Sequence, residues 1–584
     1  MQYITIHSIE QYQQYKASLA QFVPVVVSAN YIFAGPVSGY TSKEACFACF
    51  LQSLKDNESF YYDIIESAFA TENGYFITDE LMAYVKTFEG EIGRFVAVVN
   101  SRDLGTRLFP VHFSPICTEY LPETGQFFEN LNWDYRFCPG KRIKNGGDIF
   151  SDKNKARLFH MHSGIGKKLM RDADAKIIPM FYVKSQVMGS RYYSYGRADT
   201  YQKSQISAGF EMLERYASIV PHVKPGLTGS YHALKKQGEP VINPKELTLN
   251  ATAEENGLKT GFVPYSEAAV YRWMKVMDLA DGSFAYMPEQ VLYYDSQLVS
   301  GEERFIYETS NGCALGGSPE EAAVYALLEV IERDAFLMHW YNRIAPVNLN
   351  IRGIKNRNLI NVVNYMEQLG YKIKVFDITM ESGIPAVWAA AVDETHHGRV
   401  KCYNAAGAHP NPEKALEAAL AEVVTSIHVY DKIIAGGTVD EKLKMLAGNP
   451  DGVRSMEDHV YFYSIYENFD YIKPYYENTE EVDFCRRFAD WYRNEEQTCY
   501  LTEFVDKIRR CHKHIYLGYL ESPITRELDL YCVKAVVPSM LTMTFGVQNQ
   551  RINPERIRQG AVAAGIRRKP IAAEEINRTP HPFP

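Results

Sequence analysis

The chain has 584 residues, 46% of them apolar and 23% charged, with a formal net charge of −9. That is enough chain for two or three domains of ordinary globular composition. The acidic balance, with no long Lys/Arg run, excludes a general attraction for nucleic acid or for an acidic membrane surface. No apolar run approaches the roughly 18 residues of a membrane span. The first residues lack a signal-peptide core, and the ten scattered cysteines read as reduced thiols, so a cytoplasmic protein is expected.

Residues 1–150 alternate short apolar runs with Gly/Pro turns. Segments 25–27, 31–34 and 95–99 read as strands, and 43–54 as a helix. Cys46-Phe-Ala-Cys49 is followed by the single Cys117, with Tyr120 where a fourth thiolate would fall. Three ligands do not close a structural zinc site; the cysteines read as structural, and nothing in the spacing of Cys138 makes it a ligand. The basic, glycine-containing stretch 141–160 marks a domain boundary.

Beyond it, 177–184 and 191–195 suggest strands, and Gly196-Arg197 leads into an apolar helix containing SAGFEMLERYA, with Ser207, Glu211, Glu214 and Arg215. Residues 221–262 are polar and rich in Gly, Pro and Lys, and read as loop. Ser318, Pro319 and Glu321 then supply an N-cap, a first-turn proline and a capping box. The helix they start is apolar almost all round, so it is buried. At roughly 100° per residue Glu329, Glu332 and Arg333 share one face with Tyr325 and Phe336. One such Glu-x-x-Glu-Arg could be a Glu–Arg pair closed within a turn, but Glu211 to Arg215 repeats it, which points to a shared site.

Segments 372–378, 385–392 and 399–404 read as an antiparallel strand set. Asn411 and Pro412 open a third apolar helix, whose Glu422 reads either as a satisfied core acid or as part of the same site. Residues 433–525 are acidic and aromatic, an edge subdomain or a peptide-binding surface. A strand over 531–537 returns to the core, and the chain closes on Pro580-His581-Pro582-Phe583-Pro584.

Buried carboxylates converging from several helices need cations among them, because each uncompensated one costs several kcal/mol. Oxygen ligands select a hard ion such as Mg²⁺, which keeps waters and binds phosphates. The residues thus suggest a Mg-nucleotide site, although GxxxxGK[ST], a strand-linked GxGxxG, HExxH and GxSxG are all missing.

Over about residues 155–584, SAGFEMLER, SNGCALGGSPEEAAVYALLEVIERDA and GAHPNPEKALEAALAEVV closely resemble the YcaO family. The resemblance implies an α+β fold: a YcaO-type domain of mixed strands and buried acidic helices over 151–584, preceded by a small α/β N-terminal domain over 1–150. It implies ATP and Mg²⁺ as cofactors, with Glu211, Glu214, Glu329, Glu332 and Glu422 as metal ligands. Arg197, Ser207, Arg215 and Arg333 join them around the nucleotide. The proline-rich ending is similar to that of azoline-forming cyclodehydratases, which turn Cys, Ser or Thr of a ribosomally made precursor peptide into thiazoline or oxazoline; there Pro584 would act in catalysis through its carboxylate. A stiff, polyproline-like tail loses little entropy on docking.

AGPVSGYTSKEACFACFLQSL is similar to the end of the E1-like module that accompanies these enzymes and binds zinc through CxxC pairs. One pair remains here, so the resemblance implies a separate leader-binding partner of E1-like or RRE type. It also implies a flavin dehydrogenase acting on the product and allows a homodimer. Four positions depart from the family pattern: Ala418 stands where many members have Arg, Thr425 where they have Gln, Tyr325 at a Gln/His place, and Arg197 at the Lys of a Gly-Lys-Gly. Arg197 or Arg551 could replace the missing cation. Thioamide or amidine chemistry and a catalytically silent precursor-binding scaffold stay open beside cyclodehydration.

Overall fold

The computed structural model describes residues 1–584 apart from 41, 43–44, 72–74, 116, 118–130, 139–141, 251–259, 479 and 493–498. Tyr120, the first two positions of the helix expected over 43–54 and part of the loop expected over 221–262 lie outside the described residues.

The first strands are β1 (Tyr3–Thr5), β2 (Val23–Val27), β3 (Tyr31–Ala34), β4 (Phe95–Asn100) and β5 (Thr106–Pro110), forming one sheet in that order. They include the three strands expected there. Helices Phe47–Asp56 and Phe60–Phe69 cover this sheet, and Phe33, Phe47, Phe50, Tyr61 and Phe109 fill the space between. Next, β6 (Arg136–Phe137) leaves this unit, and β7 (Gly166–Arg171), β8 (Met180–Val187) and β9 (Ser190–Arg197) make an antiparallel sheet.

Four further strands, β10 (Leu227–Ser230), β11 (Val270–Asp278), β12 (Phe284–Pro288) and β13 (Cys313–Gly316), precede a second set: β14 (Val347–Asn350), β15 (Tyr371–Asp377), β16 (Ala386–Asp393), β17 (Cys402–Ala408) and β18 (Glu481–Asp483). The second set forms a sheet of order β17-β16-β15-β14-β18. Then β19 (Cys499–Tyr500) pairs back with β6, and β20 (Tyr516–Tyr519) and β21 (Tyr531–Val536) complete a central sheet β10-β11-β20-β21-β13 with β12 on β11. The fold is thus mixed, with helices interleaved among mostly antiparallel sheets. Among the described residues, no helix is long and apolar enough to cross a membrane.

Three helices join the sheets. Tyr201–Ile219 packs on β8 and β9 and reaches β13; Pro319–Tyr341 lies between β13/β21 and β17; Pro412–Ala435 covers β16 and β17 and touches β9. Each follows a strand carrying a glycine beside the helix's first turns. A Cβ on Gly196 would stand 2.0 Å from the Ser204 carbonyl oxygen, one on Gly316 2.5 Å from the Ala322 nitrogen, and one on Gly407 2.2 Å from the Ala415 carbonyl oxygen. Each helix has a side-chain cap, from Thr200, Ser318 and Asn411 respectively. Strand β16 explains its own sequence: Val387, Ala389 and Ala391 pack toward the third helix, while Trp388, Ala390 and Val392 pack toward the end of the second. A strand covered on both faces reads as a continuous apolar run.

Three expectations are corrected. Residues 227–236 form β10 and the helix Tyr231–Lys236 rather than loop, because pairing with β11 holds a short strand that looks like a turn in sequence. Ser318 accepts from the Glu321 N–H, but the Glu321 carboxylate accepts from Gly317 N at 2.6 Å and Ile143 N at 3.1 Å, so the capping box is not reciprocal. The aromatics of 471–476 do not make a peptide-binding surface: Tyr475 stacks on Trp340 at 4.7 Å and Tyr476 on Phe376 at 5.8 Å, all four buried.

Candidate functional site

Where the three helices meet, a cavity of about 920 Å³ opens. The first helix sends in Ser207, Glu211, Glu214 and Arg215; the second sends Glu329 and Arg333; the third sends Glu422; β9 adds Arg197. Glu332 does not line the cavity. It lies 3.7 Å from the Arg333 Nε and within electrostatic reach of Glu329 and Glu422. The two Glu-x-x-Glu-Arg motifs therefore face each other across one space, with Glu214 and Glu329 repelling.

The charges are incompletely matched. Arg215 donates to Glu211 at 3.2 Å, and Glu211 also accepts from the Tyr195 N–H of β9 at 3.1 Å. Arg333 approaches Glu329 only to 3.6 Å, and its Nε is buried with no hydrogen-bond partner. Burial, opposed by Arg215 and reinforced by Glu329 and Glu211, pushes Glu214 up to about 8. Burial, opposed by Arg333 and reinforced by Glu329 and Glu422, pushes Glu332 up to about 8, and burial raises Glu329 as well. Carboxylates forced to hold protons at neutral pH, beside an orphaned guanidinium N–H, fit a site completed by a hard cation and an anion that takes the arginine.

Arg197 makes no ion pair among the described residues; its Nε donates to the Thr425 hydroxyl at 2.9 Å and its Nη2 to Ser426 at 3.3 Å. Thr425 thus orients this cation. Arg551 does not serve as a cavity cation: it is fixed on Glu308 at 2.5 Å and on the carbonyls of Leu247 and Thr248. Ala418 is exposed and lies outside the cavity lining. Residues missed in the sequence also line the space, among them Arg142, Tyr403, Tyr430 and Phe545. Arg142 comes from the stretch read as a boundary and lies 3.7 Å above the Tyr325 ring; its basic composition was the available signal.

The tail runs through the core to the same place. Trp340 donates to the Thr579 carbonyl at 2.8 Å, Tyr463 to that of Pro580 at 2.6 Å, and His459 Nδ1 to that of His581 at 2.7 Å. Burial lowers His459 to about 4, so its neutral ring can also accept from the Gly546 N–H at 3.0 Å. Phe583 stacks on Phe336 at 3.8 Å, and Pro584 lines the cavity.

Away from this site, Cys46, Cys49 and Cys117 are buried together, with sulfurs 3.7 and 3.8 Å apart from Cys46. Those separations equal the edge of a tetrahedron of about 2.3 Å Zn–S bonds. Among the described residues the group has three ligands, and Cys138 is not one of them.

Comparison with known proteins places the chain. An uncharacterized protein of Methanothermobacter thermautotrophicus is 25% identical over 232 residues, 40% of this chain and 56% of its own length. An uncharacterized protein in the tfuA 3′ region of Rhizobium leguminosarum bv. trifolii is 26% identical over 163 residues, 26% of this chain and 38% of its own length. The chain thus covers about half or less of these curated relatives. Two solved structures share the fold over 100% of this chain. A heterocyclase in complex with substrate and cofactor has TM-score 0.72 at 18% identity, covering 81% of that chain; the heterocyclase TruD has TM-score 0.66 at 17% identity, covering 79%. The family described as YcaO cyclodehydratase, ATP- and Mg²⁺-binding, matches residues 195–541, so ATP and Mg²⁺ are the cofactors here. That match takes in more than half of the chain, including all three acidic helices, and the protein belongs to the YcaO family.

Proposed function

We propose that the protein is an ATP- and Mg²⁺-dependent cyclodehydratase that closes Cys, Ser or Thr side chains of a ribosomally made peptide onto the preceding backbone amide, giving thiazoline or oxazoline. The observation that carries the reading is the meeting of Glu211, Glu214, Glu329 and Glu422 with the buried proline-rich tail in one cavity. Glu211, Glu214, Glu329 and Glu422, backed by Glu332, would hold Mg²⁺, with Arg197, Ser207, Arg215 and Arg333 around the phosphates.

ATP supplies the phosphoryl group that makes the amide oxygen a leaving group, and Mg²⁺ spreads the charge that develops. The chain's contribution is orientation and neutralisation. Arg197, held by Thr425 and Ser426, keeps its charge free for an anion, and Arg333 lines the cavity beside Glu329. The proposed catalytic group is Pro584: fixed by Phe583 and the His581 carbonyl, its carboxylate would accept the proton released as the side chain attacks. The domain reading, 1–150 as an adaptor unit and 151–584 as the enzyme, belongs to this proposal, as do a separate leader-binding partner and a flavin dehydrogenase.

The direct test is to incubate a Cys-containing precursor with protein, leader-binding partner and Mg-ATP. Loss of the mass of one water per modified residue, dependent on ATP, is expected. ATP turnover with a peptide of unchanged mass would count against cyclodehydration. A silent scaffold predicts neither, and its sequence support is weakened by the exposed position of Ala418.

A further inference from the structure

Apart from Arg197 at its cavity end, the outward face of the β7–β9 sheet has no role in the site described so far. Directly opposed residues of antiparallel strands share a face. The register therefore sets Met170, Tyr182 and Tyr195 in one row, and Lys168, Lys184 and Tyr193 in the next. The other face, with Val183 and Val187, is sealed in the core. On the outward face Tyr193 is 47% and Tyr195 36% exposed, and the rings of Tyr182, Tyr193 and Tyr195 lie 6.3–6.4 Å apart.

The face is also basic, on a protein whose net charge is −9. Glu58 takes up Arg191 and comes within 3.8 Å of Lys167; Lys184 is within its electrostatic reach but, like Lys168, makes no ion pair among the described residues. The face continues into the cavity, because Arg191, Tyr193, Tyr195 and Arg197 of β9 form one of its walls. Strand β9 is an edge: among the described residues no strand pairs with its other side. At the cavity end the Tyr195 N–H is taken by Glu211, so strand addition along β9 must stop there.

We propose that this face and the edge of β9 hold an extended, acidic stretch of the peptide substrate and lead the residue to be cyclised into the cavity. The inference rests on the peptide-modifying reading above. Edge pairing supplies main-chain hydrogen bonds without regard to sequence, and the tyrosines and lysines select for acidic side chains. Extension matters chemically: a side chain reaches its own preceding amide only when that amide is free of helix or turn bonding. Where Glu211 closes the edge, the peptide has to leave β9, and it does so beside the carboxylate cluster.

The test measures anisotropy of a fluorescein-labelled synthetic peptide of Glu, Ser and Gly with one Cys, against a counterpart with lysine in place of glutamate. The acidic peptide is expected to bind at least about tenfold tighter, and Lys184→Glu and Tyr182→Ala each to weaken it about tenfold or more. Mg-ATP binding by both variants should match the parent, since neither residue lines the cavity. Equal affinity for the two peptides, or binding indifferent to both substitutions, would overturn the surface. Displacement of the acidic peptide by tripolyphosphate at matched charge would reduce it to general anion attraction and overturn it too. Failure of the parent protein to bind Mg-ATP would instead strike the proposed activity, whatever the peptide does.

Discussion

Glu214 and Glu332 sit at about 8, far above the ordinary carboxylate value of 4.5, because burial among other acids disfavours their charge. The native state therefore binds these protons more tightly than the unfolded chain does. Their contribution to stability is complete below about 4.5 and is lost as pH rises through about 8. Melting of the cation-free protein should accordingly fall between about pH 4.5 and about pH 8, and Mg-ATP should remove much of that fall. Mg²⁺ binding should release protons and tighten as pH rises across the same window; calorimetry in buffers of different ionisation enthalpy would show it, and affinity independent of pH would contradict it. Glu332→Gln should lower ATP turnover at least about tenfold, or ~1.4 kcal/mol. Its melting temperature should be unchanged below about pH 4.5, where the carboxyl holds its proton folded or unfolded, and higher from neutral pH to about pH 9, where the substitution removes a group that burial keeps from ionising freely. The acids were legible in the sequence from their repeat inside apolar helices. The inner position of Glu332 was not, since periodicity gives a face but not the depth at which a cavity begins.

The strand–glycine–cap–helix unit is the element that positions these acids, and it occurs three times. Ser318→Ala should cost about 1 kcal/mol, read from denaturant unfolding, with the Glu321 bonds to Gly317 and Ile143 limiting the loss. The tail is the other functional element. Phe583 is 1% exposed against Phe336 and Trp388, so Phe583→Ala should cost about 3–5 kcal/mol of stability as well as the docking of the tail. A variant with two residues added after Pro584 should cyclise at least about tenfold more slowly with little change in melting temperature; full cyclisation by the extended chain would reject the docked carboxylate. Caps and first-turn prolines made the second and third acidic helices readable in sequence, and the repeated motif in an apolar run did so for the first. Strand β10 and the buried pair Tyr475 and Tyr476 were not, because what holds them is pairing and packing from distant segments.

At the scale of the whole molecule, three sheets are tied together by three helices, and the cavity exists only at their junction. Its walls draw on β9, on the Arg142 segment, on all three acidic helices and on the final residue, parts separated by hundreds of positions in the chain. A sequence can announce each acid but not that Arg142 closes the same space, since its contact over Tyr325 joins segments far apart in the chain. The central claim is that this junction activates a backbone amide through its oxygen. It is tested most directly with a Cys-containing precursor carrying oxygen-18 at the carbonyl before the cysteine, incubated with protein, leader-binding partner and Mg-ATP. The account predicts a peptide lighter by one labelled water equivalent, with the heavy oxygen recovered in inorganic phosphate. ATP hydrolysis that leaves the label in a peptide of unchanged mass would contradict it.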